Sequence, residues 1–411
     1  MNKKRLEKKK LDRNRELYDS GEKFLMHTYS RLPVVFTRAK MQYLWDINGS
    51  KYLDFIAGYG CLNVGHTNDY VTRILKKQIE SIVQPSNVYY SLPQIELAGK
   101  LCELTGFGKK VFFANSGTEA IECAIKLARK YSREKFSQQR YKIVSFYKSF
   151  HGRTMGALSA TAQESKQKIF EPLLEGFNYA SINDIGSVEE KIDNGTCAVL
   201  IELVQGEGGI NISEIEFIKQ LRNLCSEKKI LLILDEVQTG FGRTGRMFAF
   251  QHYLILPDIL VLAKSLGGGM PLGAVVTDDE ISSAFEPGSH GSTFGGNAAS
   301  CAAGCAVIDY ILDKDLIGRA EALGKYLLDL LKVLSERSEL IKEVRGMGLM
   351  IGVELKKPVA GDIVKAALND RLIINKVSDY VLRFLPPLII AKKDIDRLFS
   401  WLKKNLKKFE N

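Results

Sequence analysis

The chain has 411 residues, of which 45% are hydrophobic and 26% are charged, and this length predicts a large domain with one or two smaller ones. No apolar run approaches the roughly 20 residues that a membrane span needs, which excludes an integral membrane protein as an interpretation. The seven cysteines are an odd number without close pairing. They predict neither a disulfide framework nor a structural zinc site, and a reducing cytoplasm fits best.

The formal net charge of +10 raises the question of a nucleic-acid partner, because clustered lysine and arginine bind phosphate backbones. Much of the excess positive charge lies in residues 1–15 and in the tail KKNLKKFEN. Neither segment interleaves its charges with aromatic residues. We interpret both as solvated termini and expect no nucleic-acid partner. The basic N-terminus has no apolar stretch behind it, so it resembles neither a secretory signal nor a membrane anchor.

Strand patterns alternate in residues 31–56 around Asn48-Gly49, a dipeptide typical of hairpin turns. From about residue 110 to residue 275, apolar runs alternate with helical patterns: KVFFA, a helix over 118–131, YKIVSF, CAVLIELV, a helix over 214–228, KILLILDE and DILVLA. This alternation predicts a mostly parallel sheet with helices on both faces, where ligands gather at the carboxyl ends of strands. A long helical region and the strand-like runs GLMIGVEL and YVLRFLPPL follow Ser300.

The predicted fold is therefore of the α/β class. A large central domain, residues 63–302, holds the mostly parallel sheet and its flanking helices. A small α+β domain is built from both chain ends, residues 1–62 and 303–411.

A candidate anion site lies at the start of the first central helix. The segment FFANSGTEA puts Ser116, Gly117 and Thr118 between a strand and a helix, and Ser116 and Glu119 have the spacing of a capping box. Backbone N–H groups at a helix N-terminus attract anions. Alone the signal is weak, because many helices begin with similar residues.

Asp235 and Lys264 each end an apolar run, so in a parallel sheet both side chains would reach the same crevice. A buried carboxylate needs a partner, and a buried ammonium tends to lose its proton. An aldehyde cofactor with a ring nitrogen would use both residues. For a single strand-end aspartate, a helix cap or a satisfied core acid is an equally good interpretation. We interpret Gly267–Gly269 as leaving room for the lysine and the cofactor.

Taken together, these features resemble the class III, fold type I pyridoxal-phosphate aminotransferases, most closely their acetylornithine branch. The resemblance covers nearly the full length and is carried by FFANSGTEA, SFHGRT, VQGEGG, LDEVQTGFGRTG, LAKSLGGGMPLG, HGSTFGGN, VRGMGLMIGVEL and VLRFLPPLII. It implies the fold type I architecture, pyridoxal 5'-phosphate as the cofactor, and a cytoplasmic homodimer with shared active sites.

The resemblance implies that Lys264 is the Schiff-base lysine and proton carrier, and that Asp235 pairs with the pyridine nitrogen. The other implied cofactor contacts are Ser116, Gly117 and Thr118 at the phosphate, Phe150 on the ring face, Gln238 by the phenolic oxygen, and Thr293, which reaches the phosphate from the partner subunit.

For the substrates, the resemblance implies that Arg153 binds the carboxylate of the amino donor. Arg383 would bind the α-carboxylate of glutamate or 2-oxoglutarate, since a guanidinium flanked by apolar residues needs an anionic partner. Glu207 would neutralise Arg383 when the other substrate is bound; a permanent structural ion pair is the alternative. The predicted substrate-binding set is completed by Tyr29, Tyr59 and Ser292. His66 and His151 lack a second ligand at metal spacing, so we interpret them as loop residues and predict no metal site.

The substrate itself is less sharply defined. Tyr59 stands where the acetylornithine branch usually has an aliphatic residue and the ornithine δ-aminotransferases have a tyrosine. Tyr29 also falls where the ornithine enzymes carry a substrate-facing tyrosine, although TYSRLPV is an ordinary opening for bacterial acetylornithine enzymes. The segments SNVYY and LAKSLGGGMPLGA favour the acetylornithine branch.

We therefore expect transfer of the terminal amino group of N-acetylornithine to 2-oxoglutarate, giving N-acetylglutamate 5-semialdehyde and glutamate in arginine biosynthesis. The alternatives are ornithine δ-aminotransferase and another ω-amine transaminase acting on 4-aminobutyrate or on a lysine-pathway amine. A catalytically inactive homologue with a binding or regulatory role is the alternative from a different class.

Overall fold

The computed structural model describes residues 3–410, with side chains described for residues 13–410. In chain order the strands are β1 (Phe36–Lys40), β2 (Tyr43–Asp46), β3 (Lys51–Asp54), β4 (Lys110–Ala114), β5 (Lys142–Phe146), β6 (Phe177–Ala180), β7 (Thr196–Ile201), β8 (Val204–Gln205), β9 (Asn211–Ile212), β10 (Leu231–Asp235), β11 (Ile259–Leu262), β12 (Gly273–Thr277), β13 (Ile341–Met347), β14 (Met350–Leu355), β15 (Leu372–Ile373), β16 (Asn375–Ser378) and β17 (Val381–Phe384). The α-helices are α1 (Lys3–Phe24), α2 (Ala57–Gly60), α3 (Asp69–Ser81), α4 (Leu92–Thr105), α5 (Gly117–Lys135), α6 (Met155–Ala160), α7 (Glu164–Gln167), α8 (Ile185–Glu189), α9 (Ile215–Lys228), α10 (Asp279–Ser282), α11 (Ala298–Asp313), α12 (Leu316–Ser335), α13 (Ala360–Asn369) and α14 (Lys392–Asn405).

The central sheet has seven strands in the order β4-β12-β11-β10-β7-β5-β6. The pairs from β11 through β6 are parallel, and β12 runs antiparallel to both of its neighbours. The strands β7, β10 and β11 are buried at every position, as expected for parallel strands that are covered on both faces. The predicted α/β fold with a mostly parallel sheet is confirmed.

This sheet brings the ends of two neighbouring strands together. The last residue of β10, Asp235, is in register with Val261 of β11. Lys264 follows β11 by two residues, at the start of a 3₁₀ turn that extends to Gly267. Both residues therefore stand at the same edge of the sheet, where α/β proteins bind their ligands.

Two smaller sheets combine strands from distant parts of the chain. One has the order β1-β2-β3-β15, in which β15 pairs in parallel with β3; the other has the order β13-β14-β17-β16. The predicted hairpin is confirmed: Asp46 Oδ1 accepts the N–H groups of Asn48 (2.9 Å) and Ser50 (2.7 Å), and Gly49 has φ +78°. The pairing of β3 with β15 joins the two chain ends in one sheet.

Some predicted boundaries differ from the structure. The helix expected over 118–131 extends over Gly117–Lys135, and the helix expected over 214–228 begins one residue later because Glu214 is its N-cap. The predicted domain limits at residues 62 and 302 stay a prediction, and the second falls inside α11.

The basic N-terminal segment, expected to be a solvated terminus, forms α1 from Lys3 onward, and its residues 1 and 2 lie outside the described part. Asn14 of this helix is buried, and its Oδ1 accepts the Val35 N–H at 2.9 Å. Of the helices in residues 3–410, none combines the length and apolar character needed to cross a membrane.

One buried arginine ties the central loops to both chain ends. Arg243 lies beyond β10 and is fully buried. Its Nη1 donates to the carbonyl oxygens of Leu349 (2.9 Å) and Pro386 (2.5 Å), and its Nη2 donates to the side-chain oxygen of Asn63. Burial lowers the pKa of Arg243 to about 9. Three distant segments thus share one hydrogen-bonding centre.

Candidate active site

A cavity of about 260 Å³ opens at the carboxyl ends of β10 and β11. Eight of the predicted site residues line it: Gly117, Thr118, Phe150, Arg153, Glu207, Asp235, Gln238 and Lys264. His151, Gly152, Glu202 and Val237 complete its wall. The structure therefore brings residues from distant motifs to one place, as the strand-end rule predicts.

Lys264 lies in the wall of this cavity, half-buried and with a strained backbone. Its φ is +43°, in the left-handed region that a non-glycine residue adopts at a cost. Burial lowers the pKa of the Lys264 ammonium, and the nearby Glu207 carboxylate opposes part of this effect. A lysine whose pKa is lowered has a larger neutral fraction, and the neutral amine is the form that acts as nucleophile and base.

The glycines after Lys264 do not leave room for the lysine, contrary to our interpretation of the sequence. A side chain at Gly268 would meet Val307 at 2.5 Å, and one at Gly269 would meet Leu62 at 3.1 Å. Both have positive φ, +57° and +101°, as expected for a tight loop. Their role is to let the loop pack closely against α11 and the N-terminal segment.

Asp235 is held by two hydrogen bonds at the bottom of the cavity. Its Oδ1 accepts the Val237 N–H at 3.0 Å, and its Oδ2 lies 2.7 Å from His151 Nδ1. The carboxylate is almost fully buried, and so is the imidazole. The other ring nitrogen, His151 Nε2, is buried with no partner in the described part of the chain. His151 lies in a loop, as predicted, but its ring orients Asp235, a role that the sequence analysis did not predict.

Glu202 is a second buried acid that the sequence analysis missed. Its carboxylate accepts the N–H groups of Phe150 (2.8 Å) and Gly206 (3.2 Å). The pKa of Glu202 is raised to about 7, mainly by burial; His151 opposes this shift and the nearby Asp235 carboxylate adds to it. An available signal was its position at the end of the apolar run CAVLI, equivalent to that of Asp235.

The N-terminus of α5 forms another part of the wall. Ser116 is its N-cap, and Ser116 Oγ accepts the Glu119 N–H at 3.3 Å. The capping box is incomplete, because Glu119 accepts the Asn115 N–H (2.7 Å) in place of that of Ser116. Thr118 Oγ1 accepts the Arg153 N–H at 3.2 Å, which joins α5 to the SFHGRT loop. The N–H groups of the first helical turn face a position suited to an anion.

Behind the cavity wall lies Arg383, which is fully buried and contacts the lining residues Glu207 and Gln238. Its Nε donates to Asn375 Oδ1 (2.8 Å), and its Nη1 donates to the Gly206 carbonyl (2.8 Å) and to Glu207 Oε1 (2.5 Å). Gln238 Oε1 is 3.5 Å from the same Nη1. Nη2 is buried without an acceptor among the described residues. A carboxylate is the group that suits this free side of the guanidinium.

Glu207 is the exposed partner of this ion pair. Its side chain is 29% exposed, whereas that of Arg383 is 0% exposed. Burial alone would raise the pKa of Glu207, but the Arg383 guanidinium holds the pKa below its usual value. Because only Glu207 borders solvent, the pair would open by movement of Glu207 while Arg383 stays in place.

Tyr59 lies over the Arg383 guanidinium, with 5.4 Å between the ring centroid and Cζ. It is half-exposed, and its backbone is left-handed, with φ +62°; the preceding Ala57 and Gly58 have φ +48° and +61°. Such conformations are costly for non-glycine residues and cluster at functional sites. The structure therefore places Tyr59 in contact with a predicted substrate-binding residue.

Three predicted site residues lie away from this cavity within the chain. Tyr29 is 73% exposed, and its ring lies near Arg31. Ser292 lines a separate cavity of about 360 Å³ beside β4. Thr293 is exposed, and its carbonyl accepts a hydrogen bond from the Gln84 amide.

His66 resembles His151 in pairing with an aspartate: its Nε2 lies 2.8 Å from Asp54 Oδ2. Within the described residues, no group of three or more histidine, cysteine, aspartate or glutamate side chains is arranged to hold a metal ion.

Comparison with known proteins agrees with this geometry. Residues 24–406 match the family model for aminotransferase class-III. The chain belongs to the class-III aminotransferases. It is 50% identical to the acetylornithine aminotransferase of Methanocaldococcus jannaschii and 47% identical to that of Caldanaerobacter subterraneus subsp. tengcongensis, in each case over 93% of this chain and 96% of the relative.

Among solved structures, the ornithine aminotransferase of Toxoplasma gondii ME49 superimposes with a TM-score of 0.93 at 32% identity, covering 97% of this chain and 96% of that one. This aminotransferase thus has the same fold as the ornithine enzyme. Its sequence identity to the acetylornithine enzymes is higher than its identity to the ornithine enzyme.

Membership of the class-III aminotransferases implies pyridoxal phosphate, and the residues present fit that group. Lys264 and Asp235 lie in one cavity together with the N-terminus of α5 and the Phe150 ring. The donor set comprises an amine with a lowered pKa, a buried carboxylate and the free N–H groups of a helix start. These suit an aldehyde, a pyridine nitrogen and a phosphate, respectively.

Proposed function

We propose that this aminotransferase transfers the terminal amino group of N-acetylornithine to 2-oxoglutarate, giving N-acetylglutamate 5-semialdehyde and glutamate. The observation that carries the proposal is the buried Arg383: its Nη2 has no partner among the described residues, and its partly exposed partner Glu207 can move away to open a carboxylate site. The acetylornithine aminotransferases at 47% and 50% identity support the choice of donor. A cytoplasmic location stays a prediction.

Lys264 and Asp235 are the proposed catalytic residues. When bound, pyridoxal phosphate supplies an aldehyde that takes up the amino group and a ring that accepts the electrons of the breaking C–H bond. Lys264 Nζ would take the proton from the substrate carbon, because its lowered pKa keeps a fraction of the amine neutral. Asp235 would hold a proton at the position of the pyridine nitrogen.

His151 keeps Asp235 in position, while the charge of Glu202 acts on Asp235 through space. His151 fixes Asp235 Oδ2, while Glu202 lies in the same wall with its carboxylate bound to two backbone N–H groups. Ser116, Gly117 and Thr118 would bind the phosphate, Phe150 would cover one ring face, and Gln238 would lie near the phenolic oxygen.

The Glu207–Arg383 pair lets one cavity accept two substrates. When glutamate or 2-oxoglutarate is bound, Glu207 moves aside and the α-carboxylate takes its place on Arg383. When N-acetylornithine presents its terminal amine, no carboxylate reaches Arg383 and Glu207 neutralises the guanidinium. Arg153, with the Phe150 ring 5.7 Å from its Cζ, would bind the donor carboxylate.

A homodimer with shared sites is part of the proposal. A patch of exposed apolar side chains adjoins the loop of Ser292 and Thr293: Val88, Tyr89, Tyr90, Leu92 and Phe294, each 62–88% exposed. Asn87 links the two segments by donating to the carbonyls of Ser292 (2.8 Å) and Gly295 (2.9 Å). Covering this patch with a second copy is favourable, and would bring Thr293 to the partner's cavity; a monomeric mass by light scattering would contradict this arrangement.

Ornithine δ-aminotransferase is the second candidate. The contact between the Tyr59 ring and Arg383 favours it, because ornithine enzymes are expected to carry a tyrosine at this position. The structural match to the Toxoplasma gondii ornithine aminotransferase is compatible with either donor, since 32% identity is lower than that to the acetylornithine enzymes.

The deciding experiment is a steady-state comparison of kcat/KM for N-acetylornithine and ornithine with the cofactor-loaded enzyme and 2-oxoglutarate. We expect at least a tenfold preference for the acetylated donor, about 1.4 kcal/mol of differential transition-state binding. A tenfold preference for ornithine would establish the second candidate and make Tyr59 a determinant of donor choice. Lack of turnover with both donors would contradict both assignments.

A further inference from the structure

Two cationic side chains lie near the same aromatic ring at the cavity. Arg153 Cζ is 5.7 Å and Lys166 Nζ is 5.9 Å from the centroid of Phe150, which lines the cavity. Arg153 directly precedes Thr154, the N-cap of α6, and Lys166 belongs to α7. Lys166 is not explained by any step of the proposed reaction.

Neither cation is held in an ion pair within the described part of the chain. Among the side chains of residues 13–410, no carboxylate lies at ion-pair distance from Arg153 or Lys166, and Glu207 is paired with Arg383. Lys166 donates its hydrogen bond to the neutral Gln163 Oε1. Burial lowers the pKa of Lys166, the neighbouring Arg153 lowers it further, and Glu207 opposes both effects. Two like charges near each other in a partly dehydrated place are stabilised when an anion binds between them.

The anion that fits is a substrate carboxylate. Glu207 is bound to Arg383 and acts on Lys166 only through space, so the position between Lys166 and Arg153 is left for another anion. Amino donors of the proposed type carry a carboxylate at the end remote from the reacting amine. A lysine supplies a compact charge with three donors, whereas Arg153 supplies a planar fork, and together they surround a carboxylate from two directions.

We propose that Lys166 is a specificity-determining residue that, together with Arg153, binds the substrate carboxylate remote from the reacting carbon. This inference rests on the proposed function, because it requires an amino donor with such a carboxylate. It predicts discrimination between donors that have this carboxylate and donors that lack it.

The test compares Lys166→Met, Lys166→Arg and the control Lys168→Met, which removes an exposed lysine two residues away. Steady-state kinetics of the cofactor-loaded enzyme with 2-oxoglutarate would be measured with N-acetylornithine and with N-acetylputrescine, its counterpart without the carboxylate. We expect Lys166→Met to lower kcat/KM for N-acetylornithine about tenfold, mainly through binding, because a charge-assisted hydrogen bond is lost. N-acetylputrescine should react at the wild-type rate, and Lys166→Arg and Lys168→Met should keep most of the activity.

Calorimetric titration with glutarate provides a readout that is independent of turnover. Lys166→Met should bind this dicarboxylate several-fold more weakly than the wild type and Lys168→Met do. Unchanged glutarate binding, unchanged use of N-acetylornithine, or an equal loss with both donors would overturn the role of Lys166. A wild-type enzyme that reacts with no amino donor would instead contradict the proposed function, and glutarate binding would still test Lys166.

Discussion

The two ends of the active-site cavity are built differently. The cofactor end consists of Asp235, His151 and Glu202, which are buried and linked by hydrogen bonds to each other or to the backbone around the central sheet. The substrate end is formed by Arg383 on a small sheet, Tyr59 in the one-turn helix α2 and Glu207 on a loop. It contains a half-exposed tyrosine with a left-handed backbone, and a buried guanidinium nitrogen that has no partner among the described residues.

This difference shows how the molecule separates reaction from recognition. The groups that act on the reacting bond are fixed at strand ends, where neighbouring strands set their spacing. The groups that recognise substrates come from loops and from the chain ends, where a change of one residue leaves the central sheet intact. Substitutions at the cofactor end should therefore affect every substrate equally, and substitutions at the substrate end should affect one substrate more than another.

The largest effect is expected at Lys264. Lys264→Ala removes the amine that transfers the proton, so kcat should fall by about 10³-fold or more with every donor. The variant should still bind the cofactor, but without the absorbance of the lysine-bound form. Lys168→Ala, an exposed control, should retain both activity and spectrum. Normal turnover of Lys264→Ala would contradict the assignment of the reaction to the cofactor end of the cavity.

A smaller effect, on the pH dependence of thermal stability, is expected at Glu202. Because burial raises the pKa of Glu202 from 4.5 to about 7, the folded protein binds this proton more tightly than the unfolded chain. The stabilisation that comes from binding this proton is complete below pH 4.5, and it is lost as the pH rises to about 7. Glu202→Gln removes this dependence, so the melting temperature of the variant relative to wild type should increase by about 3 °C across that window.

Thermal unfolding measured every half pH unit would check this expectation. Glu236 has a similarly raised pKa of about 7 but accepts backbone N–H groups from Ala249 and Phe250 outside the cavity. Glu236→Gln is therefore the matched control, which should change stability with pH but leave the cofactor absorbance unaltered. A melting difference for Glu202→Gln that is constant with pH would contradict the assigned titration.

The smallest effect is expected at Tyr59. Tyr59→Ile removes a ring from the Arg383 guanidinium, a contact that contributes about 1 kcal/mol. Relative kcat/KM for ornithine over N-acetylornithine should fall about fivefold, while the cofactor spectrum stays that of wild type. Tyr326→Phe is the control, because the Tyr326 hydroxyl donates to Asp396 away from the cavity. An equal loss with both donors would show that the two ends are not separable at this residue.

Much of the cofactor end could be predicted from the sequence. Asp235 and Lys264 end apolar runs, and the strand-end rule places such residues together without knowledge of side-chain packing. Glu202 ends a similar run and was overlooked, because a single acid after a strand is also explained as a cap. The depth of its burial depends on the loop of Phe150 that folds over it.

The substrate end was less predictable, for physical reasons. Whether Lys166 faces Phe150 depends on the path of the short helices after β5, and helical period does not determine that path. The left-handed backbone at Tyr59 arises from tertiary contacts and not from local propensity, since tyrosine disfavours it. The predicted role of Thr293 requires a second chain, which a single folded copy cannot reveal.

Arg243 has a consequence for the synthesis of this protein on the ribosome. Its guanidinium depends on the carbonyl groups of Leu349 and Pro386, which are translated more than one hundred residues later. Until those residues emerge, Arg243 Nη1 lacks its two carbonyl acceptors, and Asn63 is the one side-chain partner in the described part of the chain that has already been made. The central loops therefore reach their final form only near the end of translation. A product truncated before Pro386 would lack one of these acceptors, so burial of the guanidinium would be more costly.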